Sequence, residues 1–218
     1  MNFLLANRLS LGALLSMFVA SALLWNGLPE QVPAHFNFQG DVDDYRSREV
    51  MAILMPVVFV SLLLAVNILM RISPKKFSMP NSKHAMDIIV FGIGVMMLFM
   101  HIGMLINNGD FDRFVEILGY GIAAFLIITG NVFGKTERNF FIGLRTPWTI
   151  ASHANWKATH RFAGRLMVGS GGLMLLINLF YSNIFLILAL CVAPLIAPVF
   201  FSVLYYLRNE KDKTEAGD

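Results

Sequence analysis

A single cysteine, Cys191, in 218 residues excludes an intrachain disulfide and a thiolate metal cluster. Charge is also scarce. Asp, Glu, Lys and Arg make up 14% of the chain, against roughly 25% in soluble globular proteins. No P-loop, His-Glu-x-x-His pair or Gly-x-Ser-x-Gly elbow occurs, so the familiar nucleotide, zinc-hydrolase and serine-hydrolase chemistries have no footing. Nor do the apolar runs carry the charged relay that proton-coupled pumps use. What the chain has in excess is hydrophobic residues, 56% of the total, with a mean hydropathy of +0.64. Too few charges remain to coat a water-facing surface, and the composition points to a bilayer.

A membrane-spanning helix needs about 20 predominantly apolar residues. Uncharged runs extend from Leu9 to Leu28, Val50 to Met70, Ile88 to Gly109 and Ile117 to Gly134. From Leu166 to Leu207 no charge appears. As one helix that run would reach about 60 Å, twice the hydrocarbon thickness of roughly 30 Å. It must fold back, and Tyr181-Ser182-Asn183 is the polar break near its middle. The fifth span then starts near Phe162, with Arg165 snorkelling towards the headgroups. The sequence therefore predicts an all-α integral membrane protein of six transmembrane helices. The first apolar run exceeds the h-region of a cleaved signal peptide, so it is expected to persist as a span.

Orientation follows from Lys and Arg. Arg8 precedes the first span, and Arg71, Lys75, Lys76 and Lys83 follow the second. Lys135, Arg138, Arg145, Lys157, Arg161 and Arg165 lie between the fourth and fifth spans, and Arg208, Lys211 and Lys213 follow the sixth. Together these are fourteen of the seventeen basic residues; Arg46, Arg48 and Arg113 fall on the other side. Both termini are expected in the cytoplasm. Nucleic-acid binding is not indicated, since the cations sit where topology demands them.

Two loops are long enough to hold a site. The outer one, residues 29–49, opens with two prolines, which argue against helix. In it His35, Asn37 and Gln39 alternate with Phe36 and Phe38, as on the two faces of an extended strand. Gly40 then permits a turn. Five acids against two arginines give this loop a net charge of −3, an acidic patch suited to a cationic ligand. His35 with Asp41, Asp43 or Asp44 has the chemistry of a metal site, but no familiar spacing supports one. No metal or cofactor is expected.

The inner loop, residues 135–161, contains Asn139, Gly143, Arg145, Thr146, Pro147, Trp148 and Thr149, then Trp156, His160 and Arg161. Ser152 is a competent N-cap, and from it the chain reads as helix into the fifth span. On that helix Lys157, Arg161 and Arg165 recur every four residues as a basic stripe, with Trp156 and His160 on a neighbouring face. Such a stripe attracts anionic lipid headgroups. Arg145, between Gly143 and Pro147, is positioned to present its guanidinium to phosphate or carboxylate. Within the spans, Asn67 and Asn131 are expected at similar depth, able to bond to each other or to the inner loop, and His101 lies below the outer boundary. Gly130-xxx-Gly134 permits close helix contact, and Pro194 and Pro198 are expected to bend the last span.

At these two loops the sequence resembles the SdpI family of bacterial multi-pass membrane proteins. Pro33, His35, Phe36, Asn37, Gly40 and Asp43 match the pattern of the module that commonly precedes the SdpI domain; Arg48 stands where that pattern usually has Lys. Asn139, Gly143, Leu144, Arg145, Thr146, Pro147, Trp148, Thr149, Trp156, Thr159, His160 and Arg161 match the SdpI signature. The resemblance implies an N-terminal module over 1–85, an SdpI-like domain over 86–207 and a charged tail over 208–218. It further implies a non-enzymatic protein of the bacterial cell membrane, giving immunity to, or sensing, a secreted antimicrobial peptide toxin and signalling to a cytoplasmic repressor. In that expectation His35, Asn37, Gly40 and Asp43 meet the toxin outside, and the inner signature holds lipid or a partner. The alternative is a membrane enzyme or transporter acting on a lipid headgroup or small molecule through the inner Arg/His/Trp loop. Its weakness is the shortage of nearby acids, Glu137 and Asp87 alone.

Overall fold

The computed structural model describes residues 7–72, 82–139 and 141–211. Lys75, Lys76 and Lys213, counted above for orientation, lie outside them. The elements run α1 (Arg8–Leu24), a short 3-10 turn (Trp25–Gly27), β1 (Gln31–Phe36), β2 (Val42–Ser47), α2 (Arg48–Ile72), α3 (Lys83–Ile106), α4 (Phe111–Phe133), α5 (Pro147–Ala151), α6 (His153–Asn178) and α7 (Ile184–Asn209).

Among the described residues five helices are long and apolar enough to cross a membrane: α1 with its 3-10 extension, α2, α3, α4 and α7. The 26-residue α6 is also long, but Lys157, Arg161 and Arg165 dilute its first half. Helix ends follow local capping. Asp110 accepts a hydrogen bond from the Arg113 amide and starts α4 six residues before the apolar run begins. Asn183 accepts from Phe185 and Leu186 and starts α7 at the expected polar break. Helix α3 is shorter at its C-terminal end than the uncharged run to Gly109 suggests. Helix α3 stops at Ile106, and Asn108 and Gly109 take positive φ values of 53° and 84° in the turn that follows.

The helices form two hydrophobic cores. Met17 of α1, Phe59 and Leu63 of α2, and Val90 and Met97 of α3 form one. Val115, Ala123 and Leu126 of α4, Met167 and Met174 of α6, and Ile187 of α7 form the other. In the most apolar stretch of each helix, 44% of residues are buried in α3 and α4, against 22% in α1 and 17% in α2 and α7. Burial is concentrated in α3, α4 and α6, while α1, α2 and α7 present Leu23, Leu64, Phe185 and Phe200 outwards. An apolar exterior of this kind is what hydrocarbon solvates and water does not. Helix α3 packs in the same core as α1 and α2.

The all-α expectation needs one correction. The outer loop is a β-hairpin, with β1 and β2 antiparallel and a shift of register around His35. Its base is held by a third cluster, Leu28, Val32, Met51, Met104 and Leu105. Phe36 lies against Phe111 and Phe114 of α4, with ring centroids 5.4 and 5.5 Å away.

Candidate functional site

Two polar assemblies stand at opposite ends of α4. At its N-terminal end is the hairpin. His35 Nδ1 lies 2.6 Å from Asp43 Oδ1 across the strands. Asp44 pairs with Arg46 at 2.8 Å, and Arg48 bonds Glu49 while its guanidinium sits 5.0 Å above the Trp25 ring. Among the described residues Glu30 and Asp41 are in no ion pair, so the hairpin's negative charge faces outwards uncompensated. The alternation predicted for Asn37 and Gln39 stops at Phe36. Asn37 instead makes the turn, its Oδ1 accepting from the Gln39 and Asp41 amides at 2.9 Å each. A side chain committed in this way is a hinge pin for the loop and not part of a polar strand edge. Gly40 has φ +89° and leaves room for the Phe111 ring, 3.1 Å from where a Cβ would stand. Phe38, at the tip, is fully exposed. No group of three His, Cys, Asp or Glu side chains able to hold a metal occurs among the described residues.

At the C-terminal end of α4 the signature residues form a cap. Asn139 Oδ1 accepts from the Phe141 and Ile142 amides at 2.7 and 2.8 Å, turning the chain after α4. Thr146 and Thr149 make a reciprocal capping box at the start of α5, where Pro147 occupies the first turn. The Thr149 hydroxyl also donates to the Leu144 carbonyl at 2.8 Å. Ser152 caps α6 as its sequence position suggests, accepting from the Asn155 amide. Its hydroxyl meets the Glu210 carboxylate at the end of α7.

Trp156 and His160 are 1% and 0% exposed. Both side chains are turned into the cap and support the loop from inside. Their rings stack 4.0 Å apart, and Phe133 of α4 stacks on the other side of His160 at 5.1 Å. Trp156 Nε1 donates to the Thr136 carbonyl at 2.9 Å. His160 Nδ1 bonds the Trp156 carbonyl at 2.8 Å, and Nε2 accepts from the Leu144 amide at 2.9 Å. A carbonyl facing one nitrogen and an N–H facing the other are compatible only with the neutral ring protonated on Nδ1. Burial pushes His160 down to about 4, outweighing the upward pull of the Trp156 carbonyl. Gly143 has φ +124°, and a Cβ there would run into both His160 and Trp156. Only glycine serves.

Above this buried base the cap exposes cations. Arg145, Lys157, Arg161 and Arg165 are exposed, while Arg138 Nη1 is drawn to the Ile150 carbonyl at 2.7 Å. Arg138, Asn139, Arg145 and Ile150 line a cavity of about 420 Å³. Trp148 is half-buried.

The intramembrane polar residues separate. Asn67 does not reach Asn131. It exchanges hydrogen bonds with Asn7 of the chain's start at 3.2 Å, whereas Asn131 is exposed and returns its amide to the Ile127 carbonyl of its own helix. They lie in different halves of the bundle, so a shared depth brings no contact. His101 is buried and bonds Ser21 of α1 at 2.8 Å; the Ser21 hydroxyl in turn lies 2.8 Å from the Ala52 carbonyl of α2. This chain knits three helices where no water is available to satisfy the ring. The expected close contact at Gly130 is present, with its partner Gly164 of α6.

Sequence reasoning missed Asn155, Ser202 and Ser21. Asn155 Nδ2 donates to the Ser202 carbonyl at 2.9 Å and its Oδ1 accepts from Thr159 at 3.0 Å; the Ser202 hydroxyl lies 3.1 Å from that of Thr146. A signal was available for the pair on α6, since Asn155 and Thr159 are spaced to share a helical face beside Trp156 and His160. Ser21 and Ser202 are single small hydroxyls in long apolar runs and carry no such signal.

These features define a multi-pass helical membrane protein, with an acidic hairpin at one end of α4 and an arginine-bearing braced cap at the other. Residues 135–202 match the SdpI/YfhL protein family, a stretch containing the whole inner signature. Residues 12–60, which include the hairpin, match a domain of unknown function, DUF1648. The immunity protein SdpI of Bacillus subtilis (strain 168) is 27% identical over 190 residues, covering 87% of this chain and 88% of the relative. No solved structure matches this chain. Both modules of the resemblance read at the two loops are thus present.

Proposed function

We propose that this chain is an SdpI-like immunity protein of the bacterial plasma membrane, protecting its cell from a secreted antimicrobial peptide. The observation that carries the reading is the likeness to an immunity protein along nearly the whole length of both chains. That likeness points to a non-enzymatic role and does not favour a lipid-modifying enzyme.

In this reading α6 is the fifth crossing and α7 the sixth. Arg165 snorkels, both termini face the cytoplasm, and the modules are 1–85, 86–207 and the tail 208–218. The hairpin then faces outwards, where its acids attract a cationic peptide and the His35–Asp43 pair with the exposed Phe38 provides polar and aromatic contact. The cap faces inwards, with Arg145 as the group most open to a cytoplasmic partner such as a repressor. Helix α4 is the physical link. Its Phe111 and Phe114 hold the hairpin, and its Phe133 holds the His160 ring about 33 Å further on at 1.5 Å per residue. A relay along it requires two arrangements with different affinity for the peptide.

Expression in a strain sensitive to the cognate toxin tests the reading. The wild-type chain is expected to raise survival, and His35→Ala and Asp43→Asn are each expected to raise the toxin sensitivity about tenfold, the equivalent of one lost charge-assisted contact. Unchanged sensitivity in both variants, at equal membrane abundance, removes the hairpin from recognition; no protection by the wild type overturns the function.

A further inference from the structure

A cavity of about 650 Å³ lies between the C-terminal part of α4 and α6, apart from the cavity at Arg145. Its floor is main chain. Gly130 and Gly164 approach so closely that a Cβ on either would lie 2.7 Å from the other's carbonyl oxygen, while a Cβ on Gly169 would meet nothing within 4 Å. Side chains are thus missing both where the helices touch and where they part, which leaves an open furrow running into the apolar stretch of α6. The mouth carries Lys135, Arg161 and Arg165, all exposed. Among the described residues none of the three is in an ion pair, and no carboxylate lines the cavity. Three like charges at one mouth repel unless an anion lies between them. Two guanidiniums one helical turn apart suit the oxygens of a phosphate, which they grip bidentately. A free phosphate would leave the furrow below empty, beside Val168 and Gly169. A phosphodiester with a hydrocarbon chain fills both parts.

We infer that this cleft binds one anionic phospholipid, its phosphate held by Arg161, Arg165 and Lys135 and one acyl chain laid along the glycine floor. The site rests on α4 and α6 lying in a membrane and not on toxin immunity, so either claim can fail without the other.

Native mass spectrometry of the purified full-length chain tests it, with phosphatidylglycerol and phosphatidylcholine added at equal amounts. The wild type is expected to retain one phosphatidylglycerol in preference to phosphatidylcholine. Arg161→Gln with Arg165→Gln is expected to weaken that retention by about fivefold for each cation removed. Gly169→Leu, whose Cβ would stand in open space at the cavity lining, is expected to weaken it with every charge in place. Elution profile and melting temperature confirm that each variant is folded. Equal retention by wild type and the arginine variant overturns the site. So does displacement of the lipid by inorganic phosphate at millimolar concentration, which would make free phosphate the ligand. Loss of a co-purifying protein from the variants without any loss of lipid would also overturn it.

Discussion

His160 is held neutral by its neighbours, because the Trp156 carbonyl requires a proton on Nδ1 and the Leu144 amide requires a lone pair on Nε2. Protonating Nε2 would set two N–H groups face to face inside a stack of Trp156 and Phe133. With the folded value near 4 and an unfolded value of about 6.5, the unfolded chain takes up the proton first as pH falls. The contribution of this ring to stability is complete above about pH 6.5 and is lost towards pH 4, at no more than about 1.4 kcal/mol per pH unit. Melting of the purified protein between pH 7.5 and 4.5 is expected to show this decline, and His160→Gln is expected to flatten it. A variant with the same pH slope as the wild type would contradict the assignment. The chemistry of this residue was only half legible in advance. Its pairing with Trp156 follows from helical spacing, but its burial depends on Leu144, 16 residues earlier, folding over it, and on Gly143 leaving space. No local pattern announces either.

Elements were legible wherever apolar length or a cap fixed them. The break at residues 181–183, the N-cap at Ser152 and the extended segment after Pro33 all follow from local physics. What periodicity does not reveal is which helix a segment docks on. The hairpin is a case: two strands alone are marginal in water, and this one is fastened through Phe36 to Phe111 and Phe114, two residues in charged surroundings at the start of α4. Phe36→Ala is expected to loosen the hairpin by about 1–3 kcal/mol, the worth of two ring pairs, while Phe38→Ala, fully exposed, leaves it unchanged. Hydrogen exchange over residues 31–47 checks both. Equal protection in the two variants would show that the α4 contact does not anchor the hairpin. The missed pairing of Asn67 has the same origin, since depth along a span is readable from sequence but azimuth and neighbour are not.

At the scale of the molecule, burial is concentrated in α3, α4 and α6 and leaves α1, α2 and α7 with apolar outer faces. The hairpin and the cap are joined by one continuous helix and share no residue. Any function that couples them must pass through α4 or through the helices packed on it. Composition made the membrane legible at once, and the asymmetry of Lys and Arg predicts a direction. The structure adds that the acids of residues 30–49 and the cations of residues 135–165 stand at opposite ends of one helix, α4. The account depends on those two ends facing opposite sides of the bilayer. In a Cys191→Ser background, labelling intact cells with a membrane-impermeant maleimide measures this directly at Phe38→Cys in the hairpin tip and Ile150→Cys on the cap. The prediction is rapid modification of the first and modification of the second only after the membrane is opened. Modification of both from the same side would contradict the account.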